Sequence, residues 1–221
     1  MIESLRVPEP DGSRWTIPFP AARVDHLFYE WPEVVDEGLA GGIVELMRHT
    51  SASSPIIGFA EEISDNDATR YLDELRANLA AGKCRLLTIS TDTGELIGLC
   101  TLRRNLNPNN RHITDLAKGM IREAFRGGAV LPAAFHEIAL RCEADGVDVV
   151  TLDVRSGTAA HRAWDRFGFQ TWGVMPDYAR AGGEVHGGHF MLQKVADLKA
   201  RAAGFFESRE RPRASADAPS A

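Results

Sequence analysis

Ile121-Arg122-Glu123-Ala124-Phe125-Arg126-Gly127-Gly128-Ala129-Val130 leads from a strand-like segment into a helical one through a turn of small residues. Upstream, roughly His112 to Ile121 reads as a strand. Downstream, Leu131, Phe135, Ile138 and Cys142 recur at helical period within Gly128 to Ala144, and Gly146 stops the run. Pro132 suits a first helical turn, where its missing N–H costs little. An open turn at this place leaves backbone N–H groups and the positive end of a helix dipole facing outward, which favours an anion such as phosphate. The same residues also read as a plain Gly-rich strand–helix turn.

Working outward, Arg85–Ser90 and Leu96–Leu102 form an antiparallel hairpin across Thr91-Asp92-Thr93-Gly94-Glu95. Asn105–Asn110 is an Asn- and Pro-rich loop. Val147–Val154 is an apolar strand whose two faces are Val150, Leu152, Val154 and Val149, Thr151, Asp153. A short helix over Thr158–Phe167 turns Ala160, Ala163, Trp164 and Phe167 inward and ends at Gly168-Phe169. Two closing strands, Phe169–Val174 and Gly188–Val195, precede an amphipathic segment over Ala196–Phe206. Nearer the N-terminus, helices are predicted over Pro32–Arg48 and Asn66–Ala81, the second with Asp65 as N-cap. His49–Ser54 reads as a loop. Residues 1–13 read as loose, and Trp15–Phe19 as either a first strand or an irregular extension. Ser208–Ala221, rich in Ser, Ala, Pro and charge, reads as a disordered tail.

A run of strands followed by alternating strand and helix predicts an α/β domain with a mixed sheet and helices on both faces. At 221 residues, 44% hydrophobic, the chain can bury one ordinary core, so a single domain over 1–207 is expected. The net charge of −6 argues against nucleic acid as the main partner. Cys84, Cys100 and Cys142 are odd in number and widely spaced, which suggests core residues rather than disulfides or a zinc site. There is no apolar signal core and no run of 18 apolar residues, so no membrane span and a cytoplasmic protein are expected.

The ordered set of motifs resembles the GNAT (GCN5-related) N-acetyltransferase family over about Ile56–Val195. Gly94-Glu95-Leu96-Ile97-Gly98 is similar to that family's hairpin turn. Ile121–Val130 is similar to the segment joining its fourth strand to its cofactor helix. Leu152-Asp153-Val154-Arg155 with Ala163-Trp164-Asp165-Arg166-Phe167-Gly168-Phe169 is similar to its fifth strand and the helix ending in "LGF". Met175-Pro176-Asp177-Tyr178-Ala179 fits the same pattern.

The resemblance implies a mostly antiparallel mixed sheet, splayed at its central parallel strands, with 1–55 as a variable part that shapes the acceptor site, and transfer of an acetyl group from acetyl-CoA to a primary amine of a small molecule. Arg126, Gly127, Gly128, Ala129, Val130 and Leu131 would then hold the pyrophosphate of coenzyme A. Backbone groups near Met120 and Ile121 would pair with the pantetheine arm. Ala129 and Leu131 stand where that pattern has Gly, and Gly or Ala. Trp164 stands in the cofactor region where many relatives carry a Tyr acid, and it also fits the inward stripe of its helix. Asp115 is the candidate general base, or else a strand-start residue accepting turn hydrogen bonds; His112 and Glu123 are alternatives. Tyr178 or a water is the candidate to replace the missing acid, unless the coenzyme A thiolate leaves without side-chain help. The alternative to an enzyme is a domain that binds acyl-CoA without turnover. His186 and His189 read as an exposed hairpin, a part of the acceptor pocket with Tyr178 and Glu184, or a metal pair; no metal is expected. A homodimer is compatible with the fold.

Overall fold

The computed structural model describes residues 2–18, 24–53 and 63–210. In chain order its elements are α1 (Ile2–Leu5), β1 (Arg6–Glu9), β2 (Gly12–Pro18), β3 (Val24–Glu30), α2 (Glu37–Ser53), α3 (Asp65–Ala80), β4 (Cys84–Thr91), β5 (Leu96–Arg104), β6 (Ile113–Ile121), α4 (Val130–Ala144), β7 (Val149–Arg155), α5 (Ala159–Arg166), β8 (Gln170–Ala181), β9 (Glu184–Lys194) and α6 (Val195–Glu210). The strands form one nine-stranded sheet in the order β1-β2-β3-β4-β5-β6-β7-β9-β8. Every pairing is antiparallel except β6 with β7. This is the mixed sheet that the element order predicts, and it is mostly antiparallel, as the resemblance implies.

Two apolar clusters lie on opposite faces of the sheet, as the alternation along β4 shows. Leu87 and Ile89 join α4, α6 and the inner side of β7, while Leu86 joins α2 and α3. Cys84, Cys100 and Cys142 are buried free thiols within these clusters.

The N-terminal part is more regular than the sequence suggests. Residues 6–9 and 12–18 form a hairpin, and 24–30 is a third strand that sequence reading did not identify. Its Leu27 and Tyr29 point into the core, but the apolar Phe28 between them blurs the period-two signal. These strands are fastened to α4. The Trp15 indole N–H donates to Glu137 Oε1 at 2.9 Å, the Arg6 guanidinium pairs with the same carboxylate, and the Tyr29 hydroxyl donates to the Val130 carbonyl at 3.0 Å. Glu137 is buried, and these donors satisfy its oxygens in place of water.

Other boundaries shift for local reasons. α2 begins at Glu37 rather than at Pro32, because the Asp36 carboxylate accepts the Leu39 N–H at 2.8 Å and starts the helix there. It continues through Ser53, so the loop predicted from His49 is helical up to that residue; Ser54 lies outside the described residues. α3 is capped by Ser64, not Asp65: the Ser64 backbone is extended and its hydroxyl accepts the Asp67 N–H at 3.1 Å. β8 and β9 extend the predicted closing strands into a long hairpin over Gly182-Gly183. α6 reaches Glu210, so residues 208–210 of the predicted tail are helical, while 211–221 lie outside the described residues, as does Phe19.

Candidate active site

The parallel pair is short. β6 meets β7 only at Ile113–Val149, Thr114–Val150 and Asp115–Thr151, although β6 runs on to Ile121 and β7 to Arg155. The two strands part beyond Asp115. A bulge in β6 accompanies the parting: Lys118 and Gly119 together face Cys100 of β5, between the pairs Thr101–Ala117 and Leu99–Met120. Lys118 takes a left-handed backbone conformation, φ 55°. Such bulges re-aim side chains and end pairing, and a strained non-glycine residue within one is a mark of function.

On the α2–α3 face of this opening a polar group assembles. Asp115 accepts a hydrogen bond from the Thr151 hydroxyl at 3.4 Å and faces the Arg103 guanidinium at 3.5 Å. Burial pushes its carboxyl above the usual carboxylate range; Arg103 opposes the shift and the negative charge of Asp153 adds to it. Asp153, two residues beyond Thr151 on β7, accepts the Tyr178 hydroxyl. That bond spans from β8 over β9 to β7, and it requires Gly188. A Cβ there would lie 2.2 Å from the Tyr178 Cγ, so the ring occupies the place of a side chain. Burial, followed by the bond to Asp153, pushes the Tyr178 phenol well above its ordinary value. Burial also lowers the Lys118 ammonium, helped by Arg103 and opposed by Asp153 and by Glu74 of α3.

The opposite face of the opening is apolar. Trp164 of α5 packs 5.3 Å from Phe135 and 5.2 Å from Phe169, ring centre to ring centre, and backs the bulge at Gly119. At the mouth, α4 begins at Val130 with Ala129 as N-cap and no side-chain cap on its first turn. Gly127 precedes it at φ 80°, which glycine adopts without strain, with open space where a side chain would stand. Gly128 is half-buried and Ala129 fully buried, and Leu131 packs partly against the core. Arg126 turns back so that its Nε donates to the Ile121 carbonyl at 2.8 Å. Met120 is buried toward α2 and α3.

The structure therefore brings Asp115 and Tyr178 to one face, and sets Met120, Ile121, Arg126–Leu131 and Trp164 around the same opening. It separates His186 from His189. His189 stacks on His161 at 4.0 Å and meets the Thr171 hydroxyl at 3.1 Å, whereas His186 lies 4.0 Å from Glu184. Among the described residues, no three His, Cys, Asp or Glu side chains gather as a metal site. His112 and Glu123 are exposed. Sequence reading missed Arg103, Lys118, Thr151 and Asp153 as site residues. The alternation along Val149–Arg155 puts Thr151 and Asp153 on one face, which was the available signal; for Lys118 and Arg103 there was none.

No family model matches the sequence. Solved structures do match the fold. RimJ of Mycobacterium smegmatis in complex with CoA-disulfide superposes with a TM-score of 0.66 at 16% identity, over 90% of this chain and 94% of its own. An acetyltransferase of the GNAT family from Streptococcus pneumoniae gives 0.60 at 16%, over 76% and 99%. The yncA protein of Salmonella typhimurium, solved with acetyl-CoA, gives 0.61 at 16%, over 76% and 94%. The chain has the GNAT acetyltransferase fold. At these identities the likeness is one of fold. Within the GNAT fold as this chain builds it, the parted β6 and β7 separate a charged face from an aromatic one. No described helix is long and apolar enough to cross a membrane.

Proposed function

We propose that this protein transfers an acetyl group from acetyl-CoA to the primary amine of a small molecule. The observation that carries this reading is the parting of β6 from β7 just beyond Asp115, with the uncapped first turn of α4 at its mouth. These residues fit coenzyme A. The N-terminus of α4 and the open Gly127-Gly128 turn would take the pyrophosphate. The β7-facing edge of β6, which leaves its ladder after Asp115, would take the pantetheine amides near Met120 and Ile121. Trp164 would wall the thioester end.

Bound there, acetyl-CoA supplies an activated acyl carbon. Asp115 accepts a proton from the acceptor ammonium, directly or through water, and its raised pKa suits that task. The amine nitrogen then forms the new bond to carbon as the carbon–sulfur bond breaks, and the second proton it sheds passes, directly or through water, to the departing thiolate, leaving the amide and the free thiol. Expelling a thiolate whose acid has a pKa of about 8.5 needs no strong acid from the chain. Tyr178 is a poor acid here, since its hydroxyl is committed to Asp153 and its pKa is raised. It serves the site by fixing Asp153. One observation favours the second reading, acyl-CoA binding without turnover: Trp164 has no ionisable proton and sits within an aromatic cluster.

Calorimetry with acetyl-CoA, paired with thiol release over a panel of amines, tests the proposal. Binding that is lost in a folded Gly128→Asp variant, together with release for some amine, is the expected result. Binding without release from any amine supports the second reading, and absence of binding removes both.

A further inference from the structure

Three aromatic side chains converge beside the opening. Among the described residues, α2 and α3 pack mainly on β4, β5 and β6, whereas the rings stand farther along the same face, on β9 and β8. Phe190 of β9 pairs with Asp153 of β7 and with Gly173 of β8, so its ring shares a face with the Asp153 carboxylate. Two bulges in β8 bring the other rings to it. Trp172 is the extra residue between the pairs Thr171–Met191 and Gly173–Phe190, and its ring centre lies 5.7 Å from that of Phe190. Tyr178 falls in the second bulge, between Met175–Gly188 and Ala179–His186, and stands edge-on to Phe190 at 6.2 Å. Bulges re-aim side chains, and these two aim theirs at one ring. Yet Trp172 is 64% exposed, as is Met175 at 45%, and neither belongs to an apolar cluster. An exposed patch built in this way marks a contact surface.

Resting on the acyl-transfer reading, we infer that the acceptor is a primary amine with a flat apolar ring on a short chain, its ring on Trp172 and Phe190 and its ammonium at Asp153. The charge at the border of the patch selects this occupant. Residues opposite each other on antiparallel strands hold their Cβ atoms about 5 Å apart, a span that a short chain between ring and nitrogen covers. The Tyr178 hydroxyl fixes the Asp153 carboxylate beside the rings. Arg103 already answers Asp115 at 3.5 Å, which leaves Asp153 to hold the cation. Asp115 pairs with Thr151, two residues from Asp153 and about 8 Å away between Cα atoms, so it takes the proton through water. The acetyl group then passes to nitrogen as described above, with amide and free thiol as products. An amino acid would bring a second carboxylate toward Asp153, and like charges repel. A polyamine would lay a strongly hydrated ammonium where a ring could be buried.

The test compares phenylethylamine as acceptor with ethylamine, phenylalanine, putrescine and an unblocked trialanine peptide, all with acetyl-CoA. Its kcat/KM is expected to exceed that of ethylamine by about 100-fold. Trp172→Ala should cut this advantage about tenfold, through KM more than kcat, and Trp172→Phe should restore most of it. Titration with phenylethylamine should change the tryptophan fluorescence of the wild type and not of Trp172→Phe. Ethylamine, phenylalanine, putrescine or the peptide as best acceptor overturns the inference. So does an advantage unchanged in Trp172→Ala, or a dimer that Trp172→Ala dissociates, since a second copy would then cover the rings. If no amine turns over, the fluorescence titration decides. A change lost in Trp172→Phe keeps the ring site and removes only acyl transfer, whereas no change removes the ring site. Acetyl-CoA binding, measured separately by calorimetry, shows whether the acyl-transfer reading itself stands.

Discussion

The two faces of β7 divide the protein's stability from the chemistry proposed for it. Val150, Leu152 and Val154 point into the larger core at 0%, 3% and 6% exposure, together with Phe135, Phe167 and Phe169. Thr151 and Asp153, one residue out of phase, point to the opening where Asp115, Lys118 and Tyr178 gather. A single strand with period two thus presents a packed apolar surface and a charged one within seven residues. Side chains on the first face are chosen by volume, and those on the second by proton affinity and charge. Substitutions on the two faces should therefore fail in different ways.

The sharpest test is on the apolar face. Phe135→Ala empties a fully buried site bordered by Trp164, Phe167 and Phe169, and is expected to cost about 3–5 kcal/mol in denaturant unfolding. A loss under 1 kcal/mol would show that this face is not the stabilising one.

The polar face should behave in the opposite way. Asp115→Asn is expected to lower kcat/KM by about 100-fold through loss of the base. It should also leave the protein more stable at pH 7. The sign follows from the raised pKa: the folded state holds the Asp115 proton more tightly than the unfolded chain does. Wild-type stability therefore falls as pH rises from the unfolded carboxylate value, about 3.9, to the higher folded one, and stays lowered above it. Asparagine removes that window, so the two stability–pH curves should diverge across it. Parallel curves would place Asp115 in an ordinary solvated setting.

The smallest effect joins the faces to the long hairpin. Gly188→Ala drives a methyl into the Tyr178 ring and is expected to cost about 1–3 kcal/mol while freeing Asp153 from its hydroxyl partner. Tyr178→Phe should reproduce the change in activity but not the strain. Thermal unfolding and turnover of the pair separate these contributions.

Much of the fold could be read from local pattern. The β4–β5 hairpin, the strand ending at Ile121, the helix ending at Ala144 and the Gly168 stop each carry their signal within a few residues, and the structure places them within about two residues of the reading. β3 escaped because Phe28 interrupts its alternation, and the second half of β8 because Pro176 and Asp177 are residue types that strands disfavour. Of the site, the turn before α4 was legible from pattern as a place for an anion, whereas Asp115 and Tyr178 came from family resemblance. Lys118 was not legible, since its direction is set by a bulge that exists only once β5 and β6 pair. The Tyr178–Asp153 contact was hidden for a similar reason: it depends on the missing side chain of a residue on an intervening strand.

The knot of Arg6, Trp15 and Glu137 carries a consequence for how the chain is made. Arg6 and Glu137 are 131 positions apart, and Trp15 and Glu137 are 122. During synthesis the first hairpin leaves the ribosome long before its carboxylate partner exists, although Trp15, Ile17, Leu27 and Tyr29 are all fully buried in the finished protein. Until α4 emerges, these side chains lack the helix against which they pack. The strands of the first thirty residues must therefore wait for a helix that begins only at Val130.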